Sequence, residues 1–75
     1  MDEIEVITEF HHPISFYWQG QWAIITKVQS YWRDKGDWWS NKGNKTFHRI
    51  QCQDKVYEIL HDSQGKKWFM YKVYQ

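Results

Sequence analysis

The stretch that decides the fold is 46-TFHRIQCQDKVYEILHDSQGKKWFMYKVYQ-75, three runs of alternating character separated by two polar turns. In an extended chain successive side chains point to opposite faces. The first run therefore sets Phe47, Arg49 and Gln51 against His48, Ile50 and Cys52. The second sets Val56, Glu58 and Leu60 against Tyr57, Ile59 and His61, and the third sets Phe69, Tyr71 and Val73 against Trp68, Met70, Lys72 and Tyr74. "QDK" and "DSQGKK" interrupt the alternation, and Gly65 in the second supplies the freedom for positive φ that tight turns use. The pattern predicts a three-strand antiparallel meander.

Moving toward the N-terminus, the period of two continues. "ISFYWQ" alternates Ile14, Phe16 and Trp18 with polar or smaller neighbours, "QGQ" turns around Gly20, and "WAIITKVQSYW" alternates again, so the two runs form a predicted hairpin. Pro13 has no amide hydrogen and belongs at the beginning of its strand. A further short strand is expected over Glu5 to Phe10. Strand phase carried forward from Trp22, Ile24, Thr26 and Val28 assigns Trp32 to the core. Residues 31–45 contain Asp34, Gly36, Asp37, Asn41, Gly43 and Asn44, which break regular structure, and are expected to form one long aromatic, basic loop with at most a helical turn near its start.

With 75 residues, the chain is expected to be one domain: an acidic, partly disordered segment over 1–12 and a β core over 13–75. Six Trp, five Tyr and four Phe provide the apolar mass of a small core. The expected fold class is all-β, with five to six short antiparallel strands in a curled meander sheet or small barrel. No run approaches the length of a membrane span, and the acidic start is unlike a signal peptide. The expectations are a cytoplasmic location, no membrane partner and a monomer.

Charge is distributed unevenly. Residues 1–10 carry four acids and no base, whereas residues 27–49 carry six cations against two aspartates, a local charge of +4. The tryptophans of "YWRDKGDWW" lie in this basic third. Aromatic rings interleaved with Lys and Arg are the ingredients of single-stranded nucleic-acid binding, where bases stack on rings and cations track phosphates. The residues assigned to such a surface are Arg33, Lys35, Trp38, Trp39, Lys42, Lys45 and Arg49. In an extended backbone one of Trp38 and Trp39 faces inward and the other outward. The alternative is a protein-interaction domain with no direct nucleic-acid contact, since Trp, Tyr and Arg also dominate protein hot spots.

Other chemistries find less support. Cys52 is the sole cysteine, so no internal disulfide exists, and its mid-strand place beside Ile50 fits a small buried hydrophobe rather than a nucleophile. His11 and His12 project to opposite sides of a strand. His48 and Cys52, four residues apart, are separated by about 13 Å, too far to share a metal ion. No glycine loop of phosphate-cradling type occurs. The chain is read as a non-enzymatic binding module without cofactor or metal.

The order "FYWQGQWAIITKVQSYW", "DWW", "FHRIQC", "VYEILHD" and "WFMYKVYQ" resembles a family of small bacterial proteins that constitute a domain of unknown function. The resemblance spans about residues 13–75. Some relatives are associated with Y-family DNA polymerase or mutagenic-repair components. The resemblance thus implies work near DNA or a DNA polymerase and supplies no catalytic residues.

Overall fold

The computed structural model describes residues 2–34, 45–62 and 66–74. Eight strands run through them: β1 (Asp2–Ile4), β2 (Val6–Glu9), β3 (His12–Trp18), β4 (Gln21–Ile24), β5 (Lys27–Asp34), β6 (Lys45–Cys52), β7 (Lys55–Asp62) and β8 (Lys67–Tyr74). They form a five-stranded sheet in the order β1-β8-β7-β6-β5 and a three-stranded sheet in the order β2-β3-β4, with every pairing antiparallel. The expected all-β class and the C-terminal meander are present. The expected single curled sheet or barrel is replaced by two sheets, each with two edges, and five to six strands become eight.

The extra strands arise where a continuous run is split. "WAIITKVQSYW" is two strands in different sheets: β4 ends at Ile24, and the chain crosses at Ile25 and Thr26 before β5 begins. The crossing is held by Ile25 N–H donating to Ile14 C=O at 2.9 Å and Thr26 N–H donating to Gln51 C=O at 2.8 Å. A bulge at Gln29 then shifts the pairing of β5 with β6, from Val28↔Ile50 to Ser30↔Arg49. Trp22 and Ile24, which set the phase, are themselves 49% and 72% exposed, and the bulge turns Trp32 from the face of Val28 to the opposite one, where it is 38% exposed rather than in the main core. Residues 31–34, expected to leave regular structure, continue β5. Further bulges occur between β2 and β3 and between β7 and β8, where Tyr71 is the unpaired residue. Bulges bend a strand and increase its twist, which curls these small sheets without closing them.

Two hairpins use two-residue turns with positive φ at both positions, Phe10 and His11 (51° and 67°) and Gln19 and Gly20 (51° and 81°). That is the type I′ geometry whose twist matches the flanking strands. Pro13 sits second in β3, opposite Thr8 at the register shift, where a missing amide hydrogen is tolerated. Of the acidic start, Asp2 and Glu3 lie in β1, at the opposite edge of the five-stranded sheet from β5.

The core fills the space between the sheets. Phe16 from the smaller sheet and Ile50, Cys52, Tyr57, Ile59, Met70 and Ile4 from the larger are buried together, with Val6, Trp18, Ala23, Ile25 and Trp68 packed around them. Phe16 and Tyr57 meet edge to face across the interface, ring centres 5.2 Å apart. Cys52 is a buried free thiol, and burial pushes its pKa up, the opposite of what a nucleophile requires.

Candidate nucleic-acid interface

The five-stranded sheet turns one face to this core, and its opposite face is organised in rows across the strands. Hairpin register fixes each row, because directly opposed residues of an antiparallel pair share a face. One row runs Trp32, Phe47, Leu60, Phe69 over β5, β6, β7 and β8. On one side of it lies the row Asp34, Lys45, Asp62, Lys67, and on the other the row Ser30, Arg49, Glu58, Lys72. Rows are two residues apart along β5, β6 and β7, about 6.6 Å, and the bulge at Tyr71 makes the step from Phe69 to Lys72 on β8 three residues. An aromatic row is thus bordered on both sides by rows in which cations alternate with carboxylates.

The rings of this row are mutually braced. Trp32 stacks parallel on Phe47 at 5.5 Å with an interplanar angle of 5°, which leaves one face of the indole turned away from the sheet's interior. The bulged Tyr71 meets Phe47 edge-on at 4.9 Å, and Lys72 Nζ sits 5.4 Å from the Tyr71 ring centre. Phe47 and Leu60 are buried, whereas Trp32 and Tyr71 remain 38% and 43% exposed. Such an arrangement offers rings held at fixed positions, so a flat ligand loses little freedom by stacking on them.

Arg49 is fixed by a buried carboxylate. Its Nε and Nη2 both donate to Glu58 Oε2, at 3.0 and 2.7 Å, and Tyr74 Oη donates to the same oxygen at 2.6 Å. The guanidinium also lies 5.4 Å from the Tyr74 ring centre. Burial of Glu58 opposes its ionisation. The hydrogen bonds from Tyr74 and Arg49, with the charges of Arg49 and Lys72, outweigh that effect and hold the carboxyl below its usual value. Glu58 raises the pKa of Arg49 in turn. The pair is internally neutral, so Arg49 contributes an oriented donor set, and Lys45, Lys67 and Lys72 contribute the row cations.

Among the residues assigned from sequence, Lys45 and Arg49 share this face on β6. Arg33 does not: it is opposite Thr46, in the row with His61 and Trp68 on the other face. Lys35, Trp38, Trp39 and Lys42 lie outside the described residues. Lys72, Tyr71, Tyr74 and Glu58 were missed. Hairpin counting from the turn at Gln53 and Asp54 pairs Arg49 with Glu58, so that partnership was available from the sequence. The bulge that brings Tyr71 to Phe47 was not.

Among the described residues, no group of three His, Cys, Asp or Glu side chains converges as metal ligands. No helix of the described residues is long and apolar enough to cross a membrane. On the core side of the larger sheet His61 stacks on Trp68 at a ring-centre distance of 4.3 Å, and His48 meets the same ring tilted by 46° at 5.4 Å. His48 Nδ1 is buried without a hydrogen-bond partner. No curated protein and no solved structure matches the chain. A family model does: that of a domain of unknown function, DUF6504, covers residues 2–75, and the chain belongs to that family.

Proposed function

We propose that the protein is a non-enzymatic binding module for single-stranded nucleic acid, with the row-patterned face of the five-stranded sheet as its platform. The observation that carries this reading is the braced ring cluster Trp32, Phe47 and Tyr71, flanked by Lys45 and Lys67 on one side and by Arg49 and Lys72 on the other. Bases stack on the exposed Trp32 and Tyr71, Lys45, Lys67 and Lys72 meet phosphates, and Arg49 presents its outer donors in a geometry set by Glu58. Stacking contributes roughly 1 to 3 kcal/mol per base and tolerates any sequence, so the expected selectivity is for single strands rather than for a base order. The polymerase and repair neighbourhood implied by the family resemblance would supply such strands, and there the module would act beside a DNA polymerase.

Titration of the protein with oligothymidylate at two salt concentrations tests the reading. Binding is expected at low salt and weakens as salt rises, because neutralised phosphates release counterions. Trp32→Ala and Lys72→Ala each weaken it. No binding at low salt, or affinity indifferent to salt, overturns the phosphate part of the proposal.

A further inference from the structure

We propose that the groove along the free edge of β4 is a docking site for an uncharged, extended peptide segment of a partner protein, which adds to the three-stranded sheet as a fourth strand. The groove has a volume of about 460 Å³ and is lined by all four consecutive residues of β4. Alternate side chains of a strand face opposite ways, so four consecutive lining residues mean that the groove runs along the strand's edge rather than over one face. Its other wall is the β6–β7 turn, and Cys52 and Tyr57, both buried, border it on the core side.

The backbone of that edge is set to receive a strand. In a two-residue hairpin the residues flanking the turn, here Trp18 and Gln21, exchange hydrogen bonds, and bonded positions then alternate. Gln21, Ala23 and Ile25 thus point their peptide groups at β3, consistent with the bond from Ile25 N–H to Ile14 C=O. Trp22 and Ile24 point theirs outward. Thr26, next in that phase, has its N–H taken by Gln51 C=O, but among the described residues Trp22 and Ile24 have no such backbone partner.

Comparison of the four sheet edges strengthens the assignment. Edges are ordinarily blunted by charge, bulges or shortness. β5 has Lys27, Arg33 and a bulge; β1 is three residues long with two acids; β2 has Glu9 and a register shift. β4, Gln-Trp-Ala-Ile, is also short but carries no charge and no bulge, and its Trp22 and Ile24 are 49% and 72% exposed. The charges lining the groove, Asp54 and Lys55, cancel, so an uncharged segment fits it better than a polyanion. Main-chain bonds to Trp22 and Ile24 would give affinity, and alternate apolar side chains of the peptide would pack on Trp22 and toward Tyr57.

The test selects binders from a displayed library of random nine-residue peptides against the intact protein, then maps the enriched peptides by amide NMR and hydrogen exchange. Enriched peptides are expected to be uncharged with alternating apolar positions and to slow exchange of the Trp22 and Ile24 amides at least tenfold. N-methylating alternate peptide bonds of a binder, in the phase that faces β4, should weaken it about tenfold or more, since each lost bond also strands a buried acceptor. Ile24→Pro removes an outward N–H without removing a bond to β3 and should reproduce that loss while the β3 amides keep their shifts. Failure to enrich any peptide, shifts centred away from β4, or N-methyl peptides that bind equally well in both phases would each overturn the proposal.

Discussion

At the scale of single residues, the fold depends on a few apolar side chains removed wholly from water. Phe16 is 0% exposed and is the large ring that the smaller sheet contributes between the two. Phe16→Ala should cost about 3 to 5 kcal/mol in urea unfolding, the range for emptying a buried aromatic site. His48 makes stability depend on pH. Burial, and then the charges of His61 and His12, lower its pKa from 6.5 to about 4. Between those values the unfolded chain binds a proton that the folded chain does not, so stability is fully present above about 6.5 and falls as pH drops toward 4. His61, also lowered by burial but opposed by Asp62, acts in the same direction. Glu58 adds a second loss at more acid pH. Its folded pKa is depressed, so its contribution is present above the ordinary value of 4.5 and lost as pH falls through the lowered one. Denaturant titrations of the parent and His48→Gln from pH 8 to 4 should diverge, with the variant showing the shallower decline between 6.5 and 4. Parallel curves would mean that His48 titrates alike in both states.

At the scale of elements, the turns separate sequence demands from structural ones. Gly20 has φ +81°, and a Cβ there meets nothing within 4 Å, so only backbone conformation requires glycine. Gly20→Ala should destabilise by about 1 to 2 kcal/mol. The companion hairpin runs its type I′ turn through Phe10 and His11, neither with glycine's freedom at positive φ, and Phe10 is 85% exposed. Replacing the pair by Asn-Gly should therefore raise the melting temperature, and a lower one would mean that these side chains hold the turn by contacts. Much of this level was legible beforehand: the meander, its two faces, the Gly20 turn and the buried Cys52 all follow from period-two alternation with polar punctuation. The transfer of the chain between sheets at Ile25 and Thr26 was not, because both residues suit a strand and the hydrogen bonds that separate them are long-range. The bulges at Gln29 and Tyr71 were equally hidden. A bulge inserts one residue without a compositional mark, and it was such phase slips that moved Trp32 from the expected core to the opposite face.

At the scale of the whole molecule, two surfaces have different chemistry. The outer face of the larger sheet combines rings with rows of cations and carboxylates, whereas the β4 groove on the smaller sheet is edged by peptide groups of Trp22 and Ile24 that have no backbone partner among the described residues. Part of the first surface was legible in the sequence, since Lys45 and Arg49 belong to it. The rest required register: cross-strand rows place Lys67 and Lys72 beside Trp32 and Phe47, and the same rows move Arg33 to the other face. The central claim is that the ring-bearing outer face of the larger sheet receives single-stranded nucleic acid. An amide and indole chemical-shift map recorded during oligothymidylate titration at low salt tests it most directly. The account predicts the largest shifts at Trp32, Phe47, Tyr71 and Lys72, including the Trp32 indole N–H, and small ones at Trp22 and Ile24; no shifts, or shifts confined to the β4 groove, would contradict it.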